Sequence, residues 1–246
     1  MMLPRPVAKP LRAVLPYLAT FGWALAAFVV GQIAAWVVLV WWGRGDLGAV
    51  LSQPFDGALV TISVFVINPV EVAILVMAVR LKGADPIRYL ALVPPRLRSL
   101  VIGVAGIVMI IGVTDLLLVA NGRALVSAFQ EVSYTSAAAE GWLPLLWIAT
   151  VLVAPAGEEI MFRGYMFRGF VRSERSAWPA IVIIAVLWAV PHLQYDWVGI
   201  SEIFVAGLFL GWVRWRSGST LLTFLLHALF NLEGMIETVV QVRQLP

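Results

Sequence analysis

The sequence predicts an all-α polytopic membrane protein, a bundle of about seven to eight transmembrane helices around a polar intramembrane cavity. Three observations predict it. Of 246 residues, 61% are hydrophobic and 13% charged, against about 45–50% and about 25% in soluble globular proteins. The apolar residues form runs of the length a helix needs to cross the hydrocarbon core, about 20 residues. The Lys and Arg residues lie between those runs, in alternate connections. A soluble domain, a disordered chain and a fibrous repeat are thereby excluded. The chain has no Cys, which removes disulfides, thiolate metal ligands and a cysteine nucleophile. Its net charge of +3 is carried by short loops, so it reads as membrane orientation and not as affinity for nucleic acid.

Seven runs are expected to span, at about 13–42, 59–79, 97–120, 142–167, 177–193, 198–213 and 220–240. The first is too long, and too lacking in a cleavage site, for an ordinary signal peptide, so it is expected to stay in the mature chain. Two weaker stretches, 86–93 and 123–136, are expected as interfacial helices, and an eighth crossing follows if one of them dips in. No polar stretch is long enough to fold separately, so residues 1–246 are expected to form one transmembrane domain.

The basic residues test this layout. Alternate loops place Arg5, Lys9, Arg12, Arg80, Lys82, Arg88, Arg96, Arg98, Arg168, Arg172, Arg175, Arg214 and Arg216 on one side, thirteen in all. The other side holds Arg44, Arg123 and Arg243, and Arg163 is left inside a span. Thirteen against three is a strong positive-inside bias, which predicts a cytoplasmic N-terminus. The short loops and the lack of an organelle signal point to a bacterial plasma membrane.

Ionisable groups inside a span cost several kcal/mol and face the bundle interior. The fourth run carries Glu158, Glu159 and Arg163, the fifth ends in Trp188-Ala-Val-Pro-His192, and the seventh contains His227-Ala-Leu-Phe-Asn231. The chain has two histidines, and both lie in predicted spans. At ~1.5 Å of rise per residue, Glu158, His192, His227 and Asn231 lie ~12–22 Å from the basic loops. They are therefore expected to meet in one cavity, open to the cytoplasmic side.

Glu159 and Arg163 are four apart and share a helix face, which suits a structural salt bridge. Glu158 is turned by roughly 100° from Glu159, so it does not share that partner and is suited to accept a proton from water. His227 and Asn231 also share a face. They can donate to a developing oxyanion or hydrogen-bond across helices. His192 follows Pro191, whose missing N–H is expected to kink the helix. Of the other acids, Glu71 is expected to pair with a buried donor, Arg163 being one candidate, or to line a substrate entrance. Asp115, Glu202, Glu233 and Glu237 fall toward the outer side and are assigned no catalytic role. Trp41, Trp42, Trp142, Tyr195, Trp197, Trp212 and Trp215 fit interfacial belts.

Glu158-Glu159-x-x-x-Arg163, then Trp188-x-x-x-His192, then His227-x-x-x-Asn231, in this order on three late spans, resembles the CPBP (Abi) intramembrane proteases, relatives of the type II CAAX prenyl endopeptidases. The resemblance covers about 142–240, which is expected to be the catalytic core. One departure is visible: Trp188 stands where the family usually has Phe, with packing expected to change and chemistry to survive. The resemblance implies hydrolysis of a peptide bond near the C-terminus of a membrane-embedded or lipid-anchored protein or peptide. Carried across by position, Glu158 would be the general base, with His192 helping to hold the attacking water. His227 and Asn231 would stabilise the oxyanion, and Glu159 and Arg163 would brace the site. Glu158, His192 and His227 could offer three ligands to a divalent metal such as zinc, but His-Glu-x-x-His is absent, and a metal-free site is favoured. The alternative is a non-enzymatic member of the same fold, acting in bacteriocin self-immunity or as a membrane scaffold. A small proton-coupled transporter is disfavoured by the lack of an internal repeat or of paired broken helices.

Overall fold

The computed structural model describes residues 9–43 and 47–244. Arg5 and Arg44 of the charge tally, and the extreme ends of the expected 1–246 domain, lie outside the described residues. The fold is all-helical. Its elements are α1 (Lys9–Trp42), α2 (Leu47–Ser52), α3 (Gly57–Leu81), α4 (Pro86–Tyr89), α5 (Leu97–Ala120) and α6 (Ala128–Glu140). After these come α7 (Leu143–Phe170), α8 (Glu174–Ala189), α9 (Trp197–Ser217) and α10 (Thr220–Gln244). Among the described residues, six helices are long and apolar enough to cross a membrane: α1, α3, α5, α7, α9 and α10. The protein is an integral membrane protein.

The fifth expected span is α8, and it is shorter than its apolar run. It has 16 residues, ~24 Å of helix, and stops at Ala189 where the run continues to Leu193. Pro191 ends the helix instead of kinking it, because a proline removes a backbone donor and restricts the residue before it. His192 therefore lies in the turn beyond the helix, not within it. Neither weaker stretch makes an eighth crossing: α4 is a single turn, and α6 has 13 residues, ~20 Å. The Ser127–Gln130 capping box starts α6, and Ser133 Oγ donates to the Phe55 carbonyl at 2.9 Å, tying α6 to the start of α3.

Helix α7 is one continuous helix with two π-helical segments, Ala149–Val153 and Ile160–Met166. Pro155 accounts for the first. It offers no N–H one turn back, and its ring crowds the carbonyl there, so the backbone widens just before it. The second contains Arg163, whose carbonyl accepts from Arg214 Nε at 2.9 Å. Arg214 is only 6% exposed, so it belongs to the packed end of α9 and not to a loop.

Close helix approach depends on glycine. A Cβ at Gly157, next to Glu158, would meet Asn68 Oδ1 on α3 at 2.1 Å. One at Gly169 would meet Thr20 on α1 at 2.3 Å, and one at Gly211 would meet Ile181 on α8 at 2.8 Å. These three contacts bind α7 to α1 and α3, and α9 to α8.

The hydrogen bonds between connections sort the molecule into two ends. At one end, Thr220 donates from N to the Ala91 carbonyl (3.0 Å) and from Oγ1 to the Leu90 carbonyl (2.6 Å). Arg172 stacks there on Tyr17 of α1, 5.2 Å from the ring centre, and Lys82 Nζ donates to the Tyr165 hydroxyl at 2.9 Å. Burial, helped by the charge of Arg172, holds the Lys82 ammonium below its usual range. The basic connections therefore gather at one end. At the other end Arg123 pairs with Asp196, joining the α5–α6 and α8–α9 connections. Asp196 also caps α9, accepting from Val198 and Gly199 N–H at 2.9 and 3.0 Å. The Gly199 N–H and the Arg123 guanidinium hold its carboxyl below the usual range.

Gly169→Ala should cost about 1–3 kcal/mol through overpacking against Thr20. Gly22→Ala, where a Cβ meets nothing within 4 Å, should be neutral or stabilising by up to about 1 kcal/mol. Thermal melts of the two variants in detergent check this; equal melting temperatures would refute the close-approach account.

Candidate active site

The site begins with a buried ion pair. Arg163 Nη1 donates to Glu159 Oε1 at 2.7 Å, and both side chains are fully buried. Their i,i+4 spacing along α7 brings them together. Arg163 Nη2 also donates to the Gly207 carbonyl of α9 at 3.2 Å. Its guanidinium carbon lies 4.3 Å from the centre of the Trp188 ring, a cation–π contact. Glu159 Oε1 has a second partner, His227 Nδ1 of α10, at 3.1 Å. One buried pair thus joins α7, α8, α9 and α10.

Glu158, one residue earlier, faces elsewhere. It is half-buried, and its Oε2 accepts from the Trp188 indole N–H at 2.5 Å. That bond is available because this chain has Trp where a Phe would have no donor. The sequence reading gave Trp188 only packing; the structure makes it the link between Glu158 and the Glu159–Arg163 pair. Its rings also meet His192 and His227 edge to face, at 5.7 and 5.1 Å between centroids. The indole N–H donor could have been noticed in the sequence, but its target depends on how α8 crosses α7.

His192 Nδ1 bonds to the Trp188 carbonyl at 2.8 Å. A carbonyl only accepts, so that nitrogen carries the proton and Nε2 keeps its lone pair in the neutral ring. By the same logic, His227 presents N–H from Nδ1 to the Glu159 carboxylate, leaving Nε2 as its second nitrogen. Asn231 Nδ2 donates to the Thr150 carbonyl, in the first π segment, at 2.8 Å. The amide has two N–H groups, so one remains.

Glu158, His192, His227 and Asn231 all line one cavity of about 590 Å³, together with Trp188 and Thr150. Asp115, Glu202, Glu233 and Glu237 line the same cavity. The sequence reading had these acids apart from the site, because they sit on three helices and share no local spacing. The cavity also runs the other way from the expectation. Its remaining walls are the Arg123–Gln130 and Gln194–Gly199 connections, at the end opposite the basic loops. Tyr195, expected at the interface, is one of its walls; burial pushes its hydroxyl up.

Glu71 is buried on α3 against Gly31 of α1, where a Cβ would lie 3.1 Å from its Cγ. Arg163 is not its partner, being held by Glu159 and Gly207. A metal on Glu158, His192 and His227 fits poorly. Their ligand atoms do not gather; among the described residues, those of Asp115, Glu233 and Glu237 are the ones that lie within 4.8 Å of one another. Glu158 Oε2 is moreover committed to the indole.

Residues 140–232 match the family model described as Type II CAAX prenyl endopeptidase Rce1-like. The matched segment covers less than half of the chain. It contains Glu158, Trp188, His192, His227 and Asn231 and leaves α1, α3 and α5 outside. Within the chain, 87 residues are 37% identical to a protein of Escherichia coli named "Uncharacterized 24.3 kDa protein", covering 34% of this chain. The chain spans about two-fifths (40%) of the length of that curated relative. No solved structure matches the chain.

Glu159→Gln should destabilise by about 3–5 kcal/mol, because it strands Arg163 without its counter-charge in a dry interior. Glu159→Gln with Arg163→Met should recover part of that loss. Melting temperatures of purified protein test the pair, and a double variant no better than the single would remove the ion pair from this account.

Proposed function

We propose that the protein is an intramembrane endopeptidase that cuts a peptide bond near the C-terminus of a membrane-associated protein or peptide. The carrying observation is the convergence of Glu158, His192, His227 and Asn231 on one cavity within the Rce1-like segment. The printed description of that family, a CAAX prenyl endopeptidase, supports the peptidase class, and a lipid-modified tail would be the corresponding substrate.

Water is activated between Glu158 and His192. The Glu158 oxygen not held by Trp188 takes a proton from water as its oxygen attacks the scissile carbonyl carbon. His192, with Nδ1–H fixed on the Trp188 carbonyl, offers the Nε2 lone pair to orient the same water. The carbonyl π pair moves onto oxygen, and the oxyanion receives the free N–H of Asn231 and the Nε2–H of His227. His227 donates from Nε2 only when both ring nitrogens carry protons, since Nδ1–H is committed to Glu159. The tetrahedral adduct collapses as Glu158 returns the proton to the leaving nitrogen, giving a carboxylic acid and an amine, which then exchange a proton to become carboxylate and ammonium. None of these steps needs a metal.

Glu158→Gln keeps the side-chain shape and should abolish cleavage with expression near normal. Mass spectrometry of membrane-protein termini, in cells carrying wild type or Glu158→Gln at equal levels, reads this. New C-terminal truncations should occur with wild type only, and identical termini would favour the immunity or scaffold role.

Trp188→Phe keeps the ring and removes the N–H, and should lower kcat at least tenfold with KM little changed. An unaltered kcat would return Trp188 to packing alone. Cleavage should also survive exhaustive chelation; loss with restoration by zinc would overturn the metal-free route.

A further inference from the structure

The basic end gathers three exposed cations around two tyrosines. Lys82 follows the last residue of α3, Arg168 lies in the last turn of α7, and Arg172 stands two residues beyond it. Among the described residues, none of the three lies within ion-pairing distance of a carboxylate. They are nevertheless close enough to act on their neighbours. Burial and then the charge of Arg172 depress the Lys82 ammonium. Burial holds the Tyr89 hydroxyl above its usual range, and the charges of Arg168 and Arg172 act against it. The C-terminal ends of α3 and α7 each favour a cation, but that does not account for their convergence.

The contacts inside the cluster leave it with donors to spare. Lys82 Nζ lies 2.9 Å from the Tyr165 hydroxyl and 3.4 Å from the Tyr89 hydroxyl. Tyr165 is fully buried and holds Lys82 from below. Tyr89 is half-buried. An ammonium has no lone pair, so Tyr89 accepts from Lys82 and keeps its own proton to give outward, and Lys82 keeps a third N–H. Arg172 sits over the Tyr17 ring, 5.2 Å from its centre, a contact that consumes none of its five N–H groups. What meets this cluster must bring acceptors and negative charge. Guanidinium forks suit the paired oxygens of an oxyanion such as phosphate.

Depth selects the oxyanion. The cluster lies where three candidate spans end, near Val14 of α1, Leu81 of α3 and Phe170 of α7. Leu18, beside Tyr17, and Leu81, beside Lys82, are each more than half exposed. Hydrocarbon therefore runs up to the cluster, and headgroups begin there. The oxyanion resident at that depth is the phosphodiester of a phospholipid. A zwitterionic headgroup adds an ammonium that three cations repel, so a net-anionic headgroup is favoured.

We infer that Lys82, Arg168, Arg172 and Tyr89 bind the phosphodiester of an anionic phospholipid in the leaflet at the basic end, bridging the ends of α3 and α7. By the positive-inside rule that leaflet is the cytoplasmic one. None of these residues lines the catalytic cavity, and the site does not rest on the peptidase reading. A lipid that binds only the folded bundle stabilises it by mass action.

The full chain in a nonionic detergent is melted with increasing phosphatidylglycerol, with phosphatidylcholine and with inorganic phosphate. Phosphatidylglycerol should raise the melting temperature saturably, and the other two should leave it nearly unchanged. Lys82→Gln with Arg172→Gln should raise the half-saturating phosphatidylglycerol concentration about tenfold or more. Arg96→Gln with Arg98→Gln removes two charges from exposed positions at the same end and should change it by less than about twofold. Tyr89→Phe keeps the ring, removes one donor and should weaken binding about threefold; it serves if the first double variant does not fold. Equal losses in the two double variants, or none in any variant, would overturn the site. Stabilisation by phosphatidylcholine or inorganic phosphate as large as that by phosphatidylglycerol would overturn the anionic lipid as its ligand.

Discussion

Everything at the centre of the molecule depends on one ion pair. Glu159 and Arg163 are fully buried on α7, and each is shared with another helix: Glu159 with His227 of α10, Arg163 with the Gly207 carbonyl of α9 and the Trp188 face of α8. A buried pair has little net stabilising value compared with an apolar replacement, but removing one partner is costly. The pair therefore acts by excluding alternatives. Any rearrangement that separates α8, α9 or α10 from α7 strands a charge or a hydrogen-bonding group in the interior. This sets the orientation of Trp188 and His227, and through Trp188 the position of Glu158.

The local irregularity of α7 serves the same arrangement. A regular helix has no free carbonyls in its middle, whereas π segments and proline loosen the ladder. The Thr150 carbonyl takes the Asn231 amide and the Arg163 carbonyl takes Arg214, one in each π segment. Glycine then brings the neighbouring helices close: Gly157 admits Asn68, and Gly207 admits Trp188, whose Cε3 would lie 3.0 Å from an added Cβ. Small residues let helix backbones approach in a membrane, where lipid is as apolar as the side chains.

The two ends of the bundle divide the work. The basic end is closed by short latches, with Ser219 Oγ on the Val93 carbonyl at 2.5 Å and Thr220 on Leu90 and Ala91. At the opposite end the 121–127 and 190–196 connections help to wall the cavity. There the acids of α5, α9 and α10 line the cavity that reaches Glu158.

Much of this was legible in the sequence, for identifiable reasons. Apolar run length is a one-dimensional property, so six of the seven expected spans, and the gathering of the basic connections at one end, followed from counting. The Glu159–Arg163 pair needed nothing beyond i,i+4 geometry. Spacing and chain order also brought Glu158, His192, His227 and Asn231 together as a set. Tertiary structure decided what local periodicity does not encode. The end of α8 at Ala189 depends on the turn that Pro191 imposes. The indole bond to Glu158 depends on the crossing of α8 over α7. The union of Asp115, Glu202, Glu233 and Glu237 with the site, and the end at which the cavity opens, depend on residues far apart in sequence being packed around one space. Sequence alone determined what crosses the membrane and which chemistry-bearing side chains lie at similar depth, because both follow from rise per residue and hydropathy. Only the packing of helices against one another decided which atom faces which, because that is set by contacts between surfaces and not along a chain.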